Sequence, residues 1–249
     1  MITFAPLVSL YHKQNFGISA ICYLQNKLLK LVKFYYIRRM KYTKYYLLAL
    51  LVIFIDQATK LSVHTYMQRG EEIAIFGDWF KLHYTLNPGM AFGLKFGEEW
   101  GKLFLTIFRL ISMIAIAVYL YFLARSKAHR GFVWAIAAIL GGAIGNVVDS
   151  TLYGVFLDNA EQKMEGALFF PMFYGQVIDM FYLDIWKGHL PEDWYFVGGD
   201  YWAFWPIFNV ADSAIFLGVA TIIARQKSFL AHQTEEQQVE SARIESTES

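Results

Sequence analysis

Cysteine is nearly missing from this chain. Its single example, Cys22, leaves 249 residues with no internal disulfide and no thiolate-built metal site. Charge is scarce too, at 17% of residues against the ~25% usual in soluble domains. The formal net charge is only +1, so no nucleic-acid partner is expected. None of the usual zinc-binding spacings occurs, and neither a metal nor a cofactor is expected. There is no internal repeat and no low-complexity linker. What remains is 56% hydrophobic and 18% aromatic, the composition of a multi-span membrane protein.

Four apolar runs, near 44–63, 103–124, 131–149 and 204–224, each approach the roughly 20 residues that cross a bilayer as a helix. No small-residue cleavage site follows the first, so it reads as a retained span rather than a signal peptide. Basic residues set the orientation. Lys27, Lys30, Lys33, Arg38, Arg39, Lys41 and Lys44 precede the first run; Arg125, Lys127 and Arg130 join the second to the third; Arg225 and Lys227 follow the fourth. The segment 150–203 holds only Lys163 and Lys187. The fold class expected is an all-α membrane protein with four transmembrane helices, cytoplasmic termini and a β-rich, interfacial loop region outside. Residues 1–39 read as an N-terminal extension before a natural start at Met40, 40–230 as the membrane domain, and 231–249 as a polar, disordered cytoplasmic tail.

Ionisable residues inside apolar spans are costly and point to function. With this orientation Asp56 and Lys60, Arg109, Asp149 and Asp212 all fall in the outer halves of the spans. The cytoplasmic halves carry none, as in "YYLLALLVI" and "AIFLGVATIIA". A coupled transporter needs polar groups through to the other side, so this asymmetry weighs against one. Asp56 and Lys60 are spaced i,i+4 and pair on one helix face. Gly141 and Gly145 have the small-xxx-small spacing of closely packed membrane helices. Arg109 reads as a side chain that snorkels toward the outer headgroups. "NPG" in Asn87–Gly89 is a turn signal, and the alternating "YGQVIDMFYLDIW" a strand or interfacial segment carrying Asp179 near the surface.

Taken in order, "DQATK", "NPGMAFG", "GGAIGNVVD", "VIDM" and "FNVADSAI" resemble the lipoprotein signal peptidase (signal peptidase II) family of bacterial intramembrane aspartyl proteases, over about residues 56–216. The resemblance implies an aspartic endopeptidase in the bacterial inner membrane. It would remove signal peptides from diacylglyceryl-modified prolipoproteins by cutting before the lipidated Cys. The active site would face the outer leaflet, and the partners would be those precursors and membrane lipids, with the enzyme a monomer. It implies a catalytic pair at Asp179 and Asp212, with Asp56, Lys60, Asn87, Gly142, Asn146, Asn209 and Ala211 binding substrate or supporting the site. One departure stands out: Ser150 occupies a position where the family usually carries an Arg that helps hold substrate. What replaces that Arg, Lys163 or another group, is left open. Ser150 also motivates the alternative of a catalytically inactive relative that binds lipoproteins. A long aromatic insertion over 150–178 could form a platform or lid, with Phe92, Tyr153, Phe156, Phe169, Phe170, Phe173 and Tyr174 suited to the interface.

Overall fold

The computed structural model describes residues 27–29, 42–89, 100–160, 165–184, 186–189, 201–204 and 206–248. Chain contacts divide the polypeptide into Met1–Lys44 and Tyr45–Ser249, and both sheets lie in the second unit. The extension 1–39, apart from 27–29, lies outside the described residues, as do Met90–Gly93 of the first outer loop motif and Lys163.

Among the described residues three helices are long and apolar enough to cross a membrane: α1 (Tyr42–Tyr66), α2 (Trp100–Arg125) and α3 (Arg130–Val148), the last continuing to Phe156. That continuation is a π turn, Asp149–Tyr153, followed by the short helix α4 (Gly154–Phe156). The fourth apolar run differs from its expected span. Its helix, α5, covers only Val210–Ala224, because Asn209 caps the N-terminus and Ile207–Phe208 are drawn into a strand. Fifteen residues rise ~22 Å, short of a ~30 Å hydrocarbon core. A fourth span exists only if α5 is counted together with α6 (Gln226–Glu248), across a 64° bend. The tail expected to be disordered is helical through α6: it lacks Gly and Pro and is rich in Gln and Glu, which favour helix.

Polarity is arranged inside out relative to a water-soluble protein. Leu47, Leu50, Phe54, Phe104, Ile111, Phe216, Leu217 and Ile223 are exposed on the helices, whereas Asp56, Lys60, Thr106, Asn146, Asp149, Ser150 and Asn209 are buried. Exposed apolar surface on this scale fits lipid as the solvent. The chain is therefore an integral membrane protein, mostly helical, with a small antiparallel sheet.

That sheet has strand order β1-β2-β3-β6, with β1 (Glu72–Phe76), β2 (Phe80–Asn87), β3 (Val177–Leu183) and β6 (Ile207–Phe208) all antiparallel to their neighbours. Strands β4 (Trp186–His189) and β5 (Tyr201–Phe204) make a separate pair. Val63 and Met67 at the end of α1, Tyr84 of β2, Tyr153 of the π turn, and Ile178 and Met180 of β3 form one buried cluster. This cluster seats the sheet on the ends of α1 and α3. The insertion is drawn shut at its base, where buried Asn159 bonds the carbonyl and N–H of Gln176. Thr106 of α2 ties it down by donating to the Phe173 carbonyl at 2.9 Å. Its aromatics divide accordingly: Tyr153 and Tyr174 are buried, Phe170 and Phe173 half-buried, Phe156 and Phe169 exposed.

Glycine on α3 sets how closely the helices approach. A Cβ on Gly141 would lie 2.8 Å from the Ala49 carbonyl oxygen of α1, and one on Gly142 would collide with the Ala211 carbonyl oxygen of α5. A Gly142→Ala variant is expected to force α3 and α5 apart, at about 1–3 kcal/mol. Thermal unfolding in detergent should show a lowered Tm; an unchanged Tm would mean the helices have slack here.

Candidate active site

Asp56 and Lys60 lie one helical turn apart on α1 and pair at 2.8 Å, both wholly buried. Asp149, at the start of the π turn, brings a second carboxylate to 2.7 Å from the same ammonium. The third contact of Lys60 is the Asn146 side-chain oxygen, at 3.1 Å. Gln57 completes the set, donating to Asp149 at 3.0 Å and Asp56 at 3.1 Å while accepting from the Tyr153 hydroxyl at 2.8 Å. The other oxygen of Asp56 receives the Ala211 backbone N–H at 2.8 Å, placing a carboxylate at the positive end of α5. Pairing of Asp56 with Lys60 was expected; the junction they form among three helices was not.

The tightness of α3 has a direct purpose here. A Cβ on Gly145 would lie 2.5 Å from Asp56 Oδ2, so this glycine leaves the room the carboxylate occupies. Ala211 is fully buried at the start of α5, and its N–H is what Asp56 holds. Gly142 and Ala211 thus act through backbone approach rather than side-chain chemistry.

Two further acids sit above this junction. Asp179 lies on β3, opposite Thr85 of β2, and its side chain is reached diagonally by Asn87 two residues on. Asn87 donates to Asp179 Oδ2 at 3.0 Å, and Asn209 donates to Oδ1 at 2.7 Å. A solvated surface Asp is excluded, because Asp179 is 2% exposed. Asp212 lies in the first turn of α5, half-buried, and accepts from Asn146 at 2.8 Å. Asn209 accepts from the Asp212 N–H at 2.9 Å while its own N–H points to Asp212 Oδ2 at 3.4 Å, a reciprocal capping box. The side chain of Asn209 is therefore bonded to Asp179 while its backbone and cap hold Asp212.

Burial pushes the Asp179 carboxyl up to about 7, helped by the negative charge of Asp212 and opposed by the hydrogen bonds from Asn87 and Asn209. A proton thus stays on this acid near neutral pH. All nine residues named from the sequence meet at this one end of the bundle. Arg109, outside those nine and expected to snorkel, is instead anchored within the bundle. Its Nη1 donates to Ser150 Oγ at 2.9 Å, at the very position where an Arg was expected from the resemblance. Gln57 was not singled out, and Tyr153, read only as an interfacial aromatic, is instead buried and bonded to Gln57. A signal existed for Gln57, which follows Asp56 inside a lipid-exposed span where an amide needs partners.

The fold and this site define a helical membrane protein with two carboxylates held together by amides at the junction of a bundle and a small sheet. The chain belongs to the signal peptidase II family, whose model, described as signal peptidase (SPase) II, matches residues 48–227. It is accordingly a protease. A lipoprotein signal peptidase of Amoebophilus asiaticus is 47% identical over 195 residues, 76% of this chain and 79% of that protein. One of Porphyromonas gingivalis is 35% identical over 183 residues, with 71% and 79% covered. Another, of Chlorobium phaeobacteroides, is 32% identical over 180 residues, with 72% and 92% covered.

Removing the ammonium at the junction is expected to strand two buried carboxylates. Lys60→Met should cost about 3–5 kcal/mol, and adding Asp149→Asn should restore part of it. Denaturant unfolding in mixed micelles gives both numbers; equal losses in the single and double variants would show that the charges are not coupled.

Proposed function

We propose that Asp179 and Asp212 are the catalytic pair of an endopeptidase that removes signal peptides from bacterial prolipoproteins, cutting just before the lipid-modified Cys. The observation that carries this reading is the bridging of both acids by Asn209, with Asp179 retaining a proton to about 7. Two acids in a poorly solvated site do not ionise together cheaply, so one proton is shared and the titrations belong to the pair. The ionised partner takes a proton from a bound water, and the resulting hydroxide attacks the scissile carbonyl. The protonated partner hydrogen-bonds the carbonyl oxygen and then protonates the departing amine. Neutral amides suit this chemistry. Asn87, Asn146 and Asn209 orient the carboxylates without adding charge, and Asn87 bonds both Asp179 and the Gly89 N–H of its own turn.

The topology we assign has four spans, with α5 and the start of α6 as the fourth, both termini in the cytoplasm and the acid pair toward the outer leaflet of the inner membrane. Supporting it are the basic residues flanking the spans and the collection, at the sheet end of the bundle, of the acids buried among the described residues. At that depth the precursor's acyl chains remain in the bilayer while its scissile bond lies near the headgroups. Residues 40–230 form the peptidase domain, preceded by an extension and followed by a polar cytoplasmic segment. The domain works as a monomer. The exposed Phe156 and Phe169 of the insertion lie in the interface beside the substrate.

Asp179→Asn and Asp212→Asn should each lower turnover on lipid-modified precursor by about 10³-fold or more without changing the folded fraction. Near-normal turnover in either variant would remove that residue from the pair. Rate against pH should be bell-shaped. As pH rises through about 7 the last shared proton leaves and the rate falls; toward acid pH the base takes up a proton and the rate falls again. The Asn87 bond stabilises the ionised form of Asp179, so Asn87→Leu should move the alkaline limb to higher pH. A limb that stays put would separate Asn87 from the titration. Chelators should leave the rate unchanged, and inhibition by them would point to a metallopeptidase.

A further inference from the structure

Lys60 and Arg109 both stand inside the spans near the acids, and they are used differently. Lys60 is fully engaged, its ammonium held by Asp56, Asp149 and Asn146. Arg109 is not. Among the described residues its hydrogen-bond partner is a neutral hydroxyl, Ser150 Oγ, and no carboxylate lies within ion-pair distance of it. A guanidinium has five N–H donors in a planar fork and stays charged, so among the described residues most of this donor capacity has no partner.

Its position is fixed from two sides. Ser150 is wholly buried and donates its own proton to the Asn146 carbonyl at 2.9 Å, which turns its lone pairs toward Arg109. On the other side is Gly89, in the turn that follows Asn87. A Cβ there would lie 3.1 Å from Nη1 and 3.2 Å from Nη2, and the φ of +93° itself calls for glycine. The guanidinium is thus wedged between the turn carrying Asn87 and the helix end carrying Asn146. Those two amides hold Asp179 and Asp212 respectively. A charge kept in a membrane interior with a neutral anchor and spare donors suits an oxygen-bearing ligand that arrives from outside.

We propose that Arg109, oriented by Ser150, grips the substrate, its spare N–H groups donating to a carbonyl oxygen beside the bond that is cut. This rests on the reading of Asp179 and Asp212 as the catalytic pair. The carbonyl belongs either to the peptide backbone or to the glyceryl ester of the lipid. Ser150 is a positioning residue and acts through Arg109.

The test is steady-state cleavage of a synthetic lipopeptide precursor by the full-length enzyme in micelles, for Arg109→Gln, Arg109→Lys and Ser150→Ala, with Asp212→Asn in parallel. Arg109→Gln should lower kcat/KM about 10- to 100-fold, chiefly by raising KM. Arg109→Lys keeps the charge without the fork and should fall between. Ser150→Ala should show a smaller rise in KM. Repeating the series with a diether in place of the diester locates the carbonyl. If the Arg109→Gln defect persists, the backbone is gripped; if it disappears, the ester is. A KM within twofold of the unaltered enzyme for folded Arg109→Gln overturns the proposal, as does a loss confined to kcat. Should Arg109→Gln fail to fold, folded Arg109→Lys with an unaltered KM overturns it. Asp212→Asn keeps the two readings apart: activity there sinks the catalytic pair, whereas its inactivity beside a normal Arg109→Gln sinks only this inference.

Discussion

The ammonium of Lys60 is the point on which the rest of the structure turns. It is wholly buried, 2.8 Å from Asp56 and 2.7 Å from Asp149, and it also reaches Asn146. An unpaired charge at such a place costs several kcal/mol, so α1 and α3 are bound to each other wherever this group sits. The coupling does not stop there. Asp56 passes it to α5 through the Ala211 N–H, and Asn146 passes it to Asp212 through its amide. A structural ion pair and the proposed catalytic pair are therefore two ends of one polar network. The network runs from the buried junction to the sheet, where Asn209 and Asn87 reach Asp179.

That continuity explains why small residues matter as much as charged ones. Carboxylate and ammonium meet at these distances only if the helix backbones approach closely, and Gly141, Gly142 and Gly145 line the approach. A single methyl group on α3 would displace the groups that neutralise each other. In lipid, where no hydrophobic force drives helices together, such packing and internal hydrogen bonds supply the cohesion. The sheet then performs a task no helix could. By pairing β2 with β3 it sets Asn87 beside Asp179, and by recruiting Ile207–Phe208 into β6 it starts α5 where Asn209 becomes its cap.

Much of this was legible in the residues. The apolar runs marked the helices, and the acids clustered toward one side once basic flanks gave a direction. The order of short motifs named the family. The fourth span was harder to read, because hydropathy does not distinguish an apolar strand such as Ile207–Phe208 from the first turn of a helix. The helix over 231–248 was hard to read for a related reason: low hydrophobicity argues against a core, but it does not forbid a helix rich in Gln and Glu. Arg109 was the more instructive miss. An Arg near a span end has a cheap escape to the headgroups, and only the neighbours can show that the escape is not taken.

What the sequence determined by itself is the chemistry available: which acids, amides and cations exist, and that they lie in apolar surroundings where each must find a partner. Spacing within one helix also fixed the Asp56–Lys60 pair, since i,i+4 neighbours meet whatever the tertiary fold. Tertiary structure decided every meeting across long separations. It brought Asp149 to Lys60, Asn209 to Asp179, and Arg109 to Ser150. Residues far apart in the chain carry no record of their mutual distance; the close packing of α3, α5 and the sheet supplies it.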